Sequence, residues 1–295
     1  MINHFRSEMP MPLAGIGHSF GGCALANLAL MHPRLLSTLV LLDPVIQDTE
    51  SPVVAGLPTY QSTFRRDIWP SRAEAEAAFL KQKFYQSWDE RVFDRWRKFG
   101  IRETPTHLHP NENGAVTLST TKHQECFTFL RPSWPGMSED GSEIIHQELV
   151  PDLDKNGPPK YPFYRPEPTA ISARLGELRP SVLYIFGGES GMSSPALRHI
   201  KMNVTGTAVG GSGGAKEGRV KEVVLKGIGH LVAMEASVQC ADAAAPWLGQ
   251  ELERFRDIRR EYLEWTKKSF VEKSTLSQEW QRRMGGDRRA PRGKI

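Results

Sequence analysis

Hydrophobic positions along this chain fall into three successive patterns. Pro12 to Ile16 is a short apolar run, and Gly22 to Met31 carries the helical spacing expected of a helix that follows a strand. Ser37 to Leu42 is a near-continuous apolar run closed by Asp43-Pro44. A run this short without polar alternation predicts a parallel strand buried on both faces, and Pro44 ends it. The same rhythm returns at Val182 to Phe186, which ends in Gly187-Gly188-Glu189, and at Val220 to Leu225, which leads into Gly227-Ile228-Gly229-His230. A helix is predicted near 195 to 202 between these strands, and residues 1 to 9 read as the end of another.

Residues 48 to 178 break the rhythm and are rich in Trp, Phe, Arg and Pro. One helix opens at Ser71, with Pro70 ahead of it and Glu74 three residues on, the spacing of a capping box. A second runs from about Asp89 to Phe99. Thr104-Pro105 and Pro132 to Pro168 read as loops. From 236 to 282 the pattern becomes long and amphipathic. No internal repeat is present. The domain reading is a core in 1–47, a cap or lid insertion in 48–178, a returning core in 179–280 and a basic flexible tail in 281–295. The class is α/β, a partial parallel sheet with a helical cap insertion.

Composition narrows this picture little. The chain has 295 residues, 39% of them hydrophobic, which suits one large domain or a core with an insertion. No apolar stretch reaches 18 residues, so no membrane span is expected, and the start Met1-Ile2-Asn3-His4-Phe5-Arg6 lacks the pattern of a signal peptide. The net charge of +4 gathers near the end of the chain, without the aromatic interleaving of a nucleic-acid module, so no nucleic-acid partner is expected. The three cysteines, Cys23, Cys126 and Cys240, are too scattered for a disulfide framework or a zinc site. No metal or cofactor is implied. Reduced thiols are expected, with Cys23 and Cys240 in the core. The glycine-rich stretch 206–218 contains no Gly-Lys-Ser/Thr and reads as a flexible connection rather than a phosphate loop.

The chemistry lies in Gly17-His18-Ser19-Phe20-Gly21, a G-x-S-x-G motif between the first strand and its helix. In this nucleophile elbow a sharp turn thrusts one hydroxyl out at the top of a sheet. A serine hydroxyl needs a base, and the base needs an acid to hold its tautomer. In folds built on this elbow the histidine follows the last core strand, where His230 stands. His18 adjoins Ser19 on a turn and supports the elbow instead. Two acids are candidates. Glu189 follows the Phe186 strand, the commoner place, but sits among Gly187, Gly188, Ser190 and Gly191. Asp43 ends a buried strand and precedes Pro44, the cleaner context. Both sit at the C-terminal edge of the sheet, where α/β sites gather. The Phe20 N–H is the expected oxyanion donor. The second donor comes from an earlier loop that this sequence does not contain.

Five stretches together resemble the fungal α/β-hydrolases of secondary-metabolite and toxin clusters, a group that includes peroxisomal acyl-CoA hydrolases. They are Met1 to Arg6, Gly15 to Gly22, Leu41-Leu42-Asp43-Pro44, Phe186 to Ser190, and Gly227 to Glu235. The resemblance covers residues 1 to about 250. It implies the α/β-hydrolase fold, with the sheet here starting at the nucleophile strand, and a truncated front relative to the family. It implies Ser19, Asp43 and His230 as the catalytic set. The implied substrates are CoA thioesters or esters of hydrophobic polyketide or fatty acids. The end Gly293-Lys294-Ile295 resembles a peroxisomal tripeptide read by an import receptor. The peroxisome is thus the expected location and the cytoplasm the alternative.

Within this reading Trp69, Phe79, Tyr85, Trp88 and Trp96 either line an acyl pocket or form the cap's own core. Arg65 and Arg66 read as a solvated pair, with CoA phosphates as the alternative partner. A homodimer is left open. The competing functional readings are a general esterase or lipase and a non-catalytic hydrolase remnant with an exposed sheet edge.

Overall fold

The computed structural model describes residues 2–5, 7–47, 52–157 and 160–285. Gly293-Lys294-Ile295, and with them the expected targeting tripeptide, lie outside the described residues. The chain divides into two units, Met1–Leu248 and Gly249–Ile295.

The first unit begins with a short helix α1 (Ile2–Phe5), then strand β1 (Ala14–His18), helix α2 (Phe20–Met31) and strand β2 (Thr38–Leu42). The segment that follows carries α3 (Pro52–Phe64), β3 (Ile68–Trp69), α4 (Arg72–Leu80), α5 (Lys83–Gln86), α6 (Glu90–Phe99), β4 (Ile101–Glu103), β5 (Val116–Leu118), α7 (Lys122–Phe129), β6 (Arg131–Pro132), β7 (Phe163–Tyr164) and α8 (Glu167–Arg174). The α/β rhythm resumes with β8 (Ser181–Gly187), α9 (Pro195–Val204), β9 (Val220–Leu225), α10 (Val232–Glu235) and α11 (Ser237–Lys267).

The main sheet is parallel, in the order β1-β2-β8-β9. All residues of β2 and β8 are buried, as continuous apolar runs between two layers of helices require. On one face Leu39, Leu41, Tyr184 and Phe186 pack with Cys23, Ala26 and Ala29 of α2 and Ile171 of α8. On the other, Val40, Leu42, Leu183 and Ile185 pack with Val232, Cys240 and Trp247. Cys23 and Cys240 are free and buried, and burial pushes the Cys23 thiol up to about 12, so it stays protonated. β1 has one neighbour in the sheet, and its Ile16 is 56% exposed.

Register decides where the strands end. His18 pairs with Leu42 and Leu42 with Ile185, so β1 and β2 stop at one level, while β8 runs two residues further beside β9. Ser19 and Asp43 each follow a paired residue, and both leave the sheet side by side at its carboxyl edge.

The segment between β2 and β8 holds more regular structure than its sequence pattern indicated. The two predicted helices are α4 and α6. The Ser71 hydroxyl accepts the Glu74 N–H at 3.2 Å, and Asp89 caps α6. The stretch 132–168 is mostly irregular, as read. The helices α3, α5 and α7 and the antiparallel sheet β3-β5-β4 were not apparent. Their strands are two or three residues long, too short to show alternation. The glycine-rich loop also differs from a flexible connection. It is pinned along residues 175–178 by main-chain bonds from Gly206, Ala208 and Ser212, each 2.9 to 3.0 Å.

In the second unit α11 runs on to Lys267, followed by α12 (Phe270–Ser274) and α13 (Gln278–Arg283). Ion pairs one turn apart brace these helices, such as Lys267 with Glu264 at 2.6 Å. Their apolar positions, including Ile258, Leu263 and Trp265, are exposed.

A polar cluster is buried beneath the start of β2. The Trp247 indole N–H and the Ser181 hydroxyl both donate to the Thr38 hydroxyl at 2.8 Å. Thr38→Val keeps the shape and strands both donors. We expect it to cost about 1–3 kcal/mol in a urea melt, against less than about 0.5 kcal/mol for a surface control.

Candidate active site

The site starts from a backbone constraint. Among the described residues, Ser19 (φ 55°) and Asp43 (φ 41°) are the two non-glycine residues with positive φ. Such strain persists only where the surroundings over-determine it. Around Ser19 they do: its N–H donates to the Leu42 carbonyl at 3.0 Å, and its own carbonyl accepts from Gly22 and Val45 at 3.1 and 3.2 Å. The Asp43 N–H donates to the Ile185 carbonyl at 2.8 Å.

The two glycines of the motif are not equivalent. A Cβ on Gly17 would lie 2.7 Å from the Gly21 carbonyl oxygen, so the turn closes only on a bare backbone there. A Cβ on Gly21 meets nothing within 4 Å.

The turn aims the Ser19 hydroxyl at His230. Oγ lies 2.9 Å from His230 Nε2, and His230 Nδ1 lies 2.6 Å from Asp43 Oδ2. With Asp43 ionised, Nδ1–H donates to the carboxylate and Nε2 is left to accept from the serine hydroxyl. The Asp43 side chain is wholly buried, while that of His230 is 30% exposed. The His230 loop reaches the edge because β8 lets it pass. A Cβ on Gly187 would sit 2.0 Å from the Gly229 carbonyl oxygen, so only glycine permits this approach. The loop is also held by the Glu189 N–H, which donates to the Ile228 carbonyl at 2.9 Å.

Glu189 contributes that main-chain bond, and its side chain is exposed. Its neighbours do more. The Ser190 hydroxyl donates to Asp43 Oδ2 at 2.5 Å, the Ser193 hydroxyl donates to Oδ1, and the Gly187 N–H approaches Oδ1 at 3.3 Å. Burial alone would push the Asp43 carboxyl up. The hydrogen bonds from His230, Ser190 and Ser193 outweigh burial and hold it below the ordinary carboxylate value. From the sequence alone Ser190 reads as part of a loose turn, and Ser193 does not stand out. The signal was the pair of hydroxyls one turn beyond the strand end.

His18 lies beside this array. Its Nε2–H donates to the His230 carbonyl at 2.8 Å, tying the histidine loop to the elbow. Burial holds the His18 imidazole below its ordinary value, more than the hydrogen bond to His230 raises it. It is therefore neutral at pH 7.

Phe20 is the first residue of α2, whose opening N–H groups have no acceptor within the helix. These groups and the positive end of the helix dipole face the region beside Ser19. The Phe20 ring packs against Phe129 of α7 at 6.1 Å between centroids, and the Arg165 guanidinium lies 4.5 Å above it.

Other expected contributors lie elsewhere. Trp69, Phe79 and Tyr85 are buried together, with Trp88 and Trp96 packed against them, as the core of the intervening segment. Arg65 pairs with Glu125 at 2.5 Å, and Arg66 donates to the Ile68 carbonyl at 2.7 Å, so the two are bound within the segment rather than solvated as a pair. Among the described residues no cluster of His, Cys, Asp and Glu could hold a metal ion, and no helix is long and apolar enough to cross a membrane.

The model of the α/β hydrolase fold matches residues 12–195. The type I acyl-CoA thioesterase mpaH of Penicillium roqueforti (strain FM164) is 38% identical over 281 residues, 89% of this chain and 64% of that protein. The chain therefore spans just under two thirds of the length of the Penicillium relatives it matches. The abhydrolase domain-containing protein AKT2 of Alternaria alternata is 32% identical over 82% of this chain and 85% of its own length. Among solved structures, the peroxisomal α/β-hydrolase Lpx1 of Saccharomyces cerevisiae superposes with a TM-score of 0.51 at 15% identity, over 97% of this chain and 63% of Lpx1, a likeness of fold.

The serine donors yield a test by pH. A depressed folded-state value makes the stability linked to Asp43 complete above the unfolded value of about 3.9, and lost as pH falls through the folded value. We expect Ser190→Ala/Ser193→Ala to be less stable than wild type in urea at pH 7. The gap should shrink as pH falls from the variant's folded-state value toward the lower wild-type one. A gap independent of pH would mean that the hydroxyls do not act on the Asp43 charge.

Proposed function

We propose a function from one premise: the chain belongs to the α/β-hydrolase fold family. Our reading is that it is a serine hydrolase, cleaving a CoA thioester or an ester of a hydrophobic acyl group through an acyl-enzyme. The observation that carries it is the continuous hydrogen-bonded path from Ser19 Oγ through His230 to a buried Asp43, at 2.9 and 2.6 Å. Both ends of that path rest on strained backbone.

In this reading Ser19 Oγ attacks the carbonyl carbon, and its proton passes to His230 Nε2. Asp43 keeps Nδ1 protonated and stabilises the imidazolium that forms. The carbonyl oxygen gains charge as the tetrahedral centre develops, and the Phe20 N–H at the head of α2 stabilises it. The carbon–sulfur or carbon–oxygen bond to the leaving group then breaks. His230 returns its proton to the departing thiolate or alkoxide, leaving Ser19 acylated. Water, deprotonated by His230, attacks the acyl-enzyme and frees the acid.

The segment between β2 and β8 acts as the cap. Phe129 and Arg165 bring it to the elbow, while its tryptophans hold it together from within. The thioester preference is supported by the 38% identity to proteins named as type I acyl-CoA thioesterases.

Labelling of the purified chain by a fluorophosphonate should depend on Ser19 and vanish in Ser19→Ala. Asp43→Asn should lower kcat roughly 10⁴-fold, the scale for a lost triad acid, whereas Glu189→Gln should stay within about twofold of wild type. Labelling that survives Ser19→Ala would refute the reading. An acyl-CoA and the 4-nitrophenyl ester of the same acid separate the two substrate classes. We expect kcat/KM to favour the thioester, and a preference for the ester would assign the chain to the general esterases.

A further inference from the structure

The Phe20 side chain is held more elaborately than the first residue of a helix needs. Its ring lies between the Arg165 guanidinium, 4.5 Å above it, and the edge of Phe129. The Arg165 side chain is 17% exposed, so its charge acts on the ring with little screening by water. Two further contacts fix the guanidinium. Arg165 Nη1 donates to the Thr128 carbonyl, one residue before Phe129. Arg165 Nε pairs with Glu167 at 3.0 Å. Glu167 in turn pairs with Arg131 of β6. One cation thus grips both Phe20 and the end of α7.

Arg165 is poorly placed to bind an anionic substrate directly, since Glu167 already pairs with it and the Thr128 carbonyl occupies one of its N–H groups. Its remaining reach is toward Phe20, whose main-chain N–H sits one residue from the nucleophile. Oxyanion donors act through placement, and small displacements of such groups are expensive in rate.

We propose that Arg165 is a positioning residue: through the Phe20 ring it fixes the first turn of α2, so that the Phe20 N–H stands ready for the oxyanion. The cap is thereby coupled to the chemistry by a cation–π contact. This inference rests on the serine-hydrolase reading above.

The test is a double-mutant cycle read by hydrolysis of 4-nitrophenyl butyrate and by the rate of fluorophosphonate labelling. Arg165→Met removes the charge and keeps the length. We expect kcat and the labelling rate to fall about tenfold, with KM within twofold and an intermediate rate for Arg165→Lys, which keeps a cation without the planar fork. Phe20→Leu leaves the Arg165–Glu167–Arg131 ladder in place and should give the same kcat-selective loss. In the Phe20→Leu background, Arg165→Met should have little further effect. Wild-type rates in either single variant would overturn the inference. So would losses that multiply in the double variant, because Arg165 would then act without Phe20. A wild-type protein that neither labels nor hydrolyses the ester would overturn the hydrolase reading itself, and the inference with it.

Discussion

Parallel register is the constraint on which the rest of the molecule depends. Because β1 and β2 end at one level and β8 only two residues beyond it, the residues that leave them meet at one edge. A one-residue slip of β2 against β1 would turn Asp43 to the other face of the sheet and exchange the two buried helix-facing surfaces. The register is held by burial. Leu39 and Leu41 face α2, Val40 and Leu42 face α10 and α11, and neither set can trade places without losing its core. The geometry of the edge is therefore set by hydrophobic packing some distance below it.

The edge itself is polar, strained and buried, a combination that is costly unless every group is paired. Asp43 is the extreme case. Its carboxylate has no solvent exposure and receives donors from His230, Ser190, Ser193 and the Gly187 main chain. Those donors keep it ionised against burial, and ionised it can hold His230 in one orientation. Glu189 lies one residue from this network yet stands outside it. The turn after β8 delivers serine hydroxyls to the interior and a carboxylate to the surface.

Two aromatic features of the segment between β2 and β8 differ in role. Trp69, Phe79, Tyr85 and Phe93, with Trp88 and Trp96, form a small core, which gives the segment its own stability. Phe129 meets Phe20 at the head of α2. The first grouping is conspicuous in the sequence and remote in role from the elbow. The second is a single residue at the end of a short helix.

What the sequence alone determined is local. The elbow, the two buried strands, the glycine turn before His230 and the two candidate acids can be read from runs and spacings, because buried strands and tight turns restrict residue type directly. The preference for Asp43 came from its rigid strand end, and the structure joins that residue to His230. What only the tertiary structure decided is every partnership across the chain. Ser190 and Ser193 are unremarkable in sequence, since a hydroxyl means little until a carboxylate 147 or 150 residues away turns toward it. The bond from His18 to the His230 carbonyl spans 212 positions, and the contact of Arg165 with Phe20 is equally non-local. The physical reason is the same in each case. Local sequence restricts backbone and burial, whereas hydrogen bonds and cation–π contacts depend on distances that exist only after the sheet has set its register.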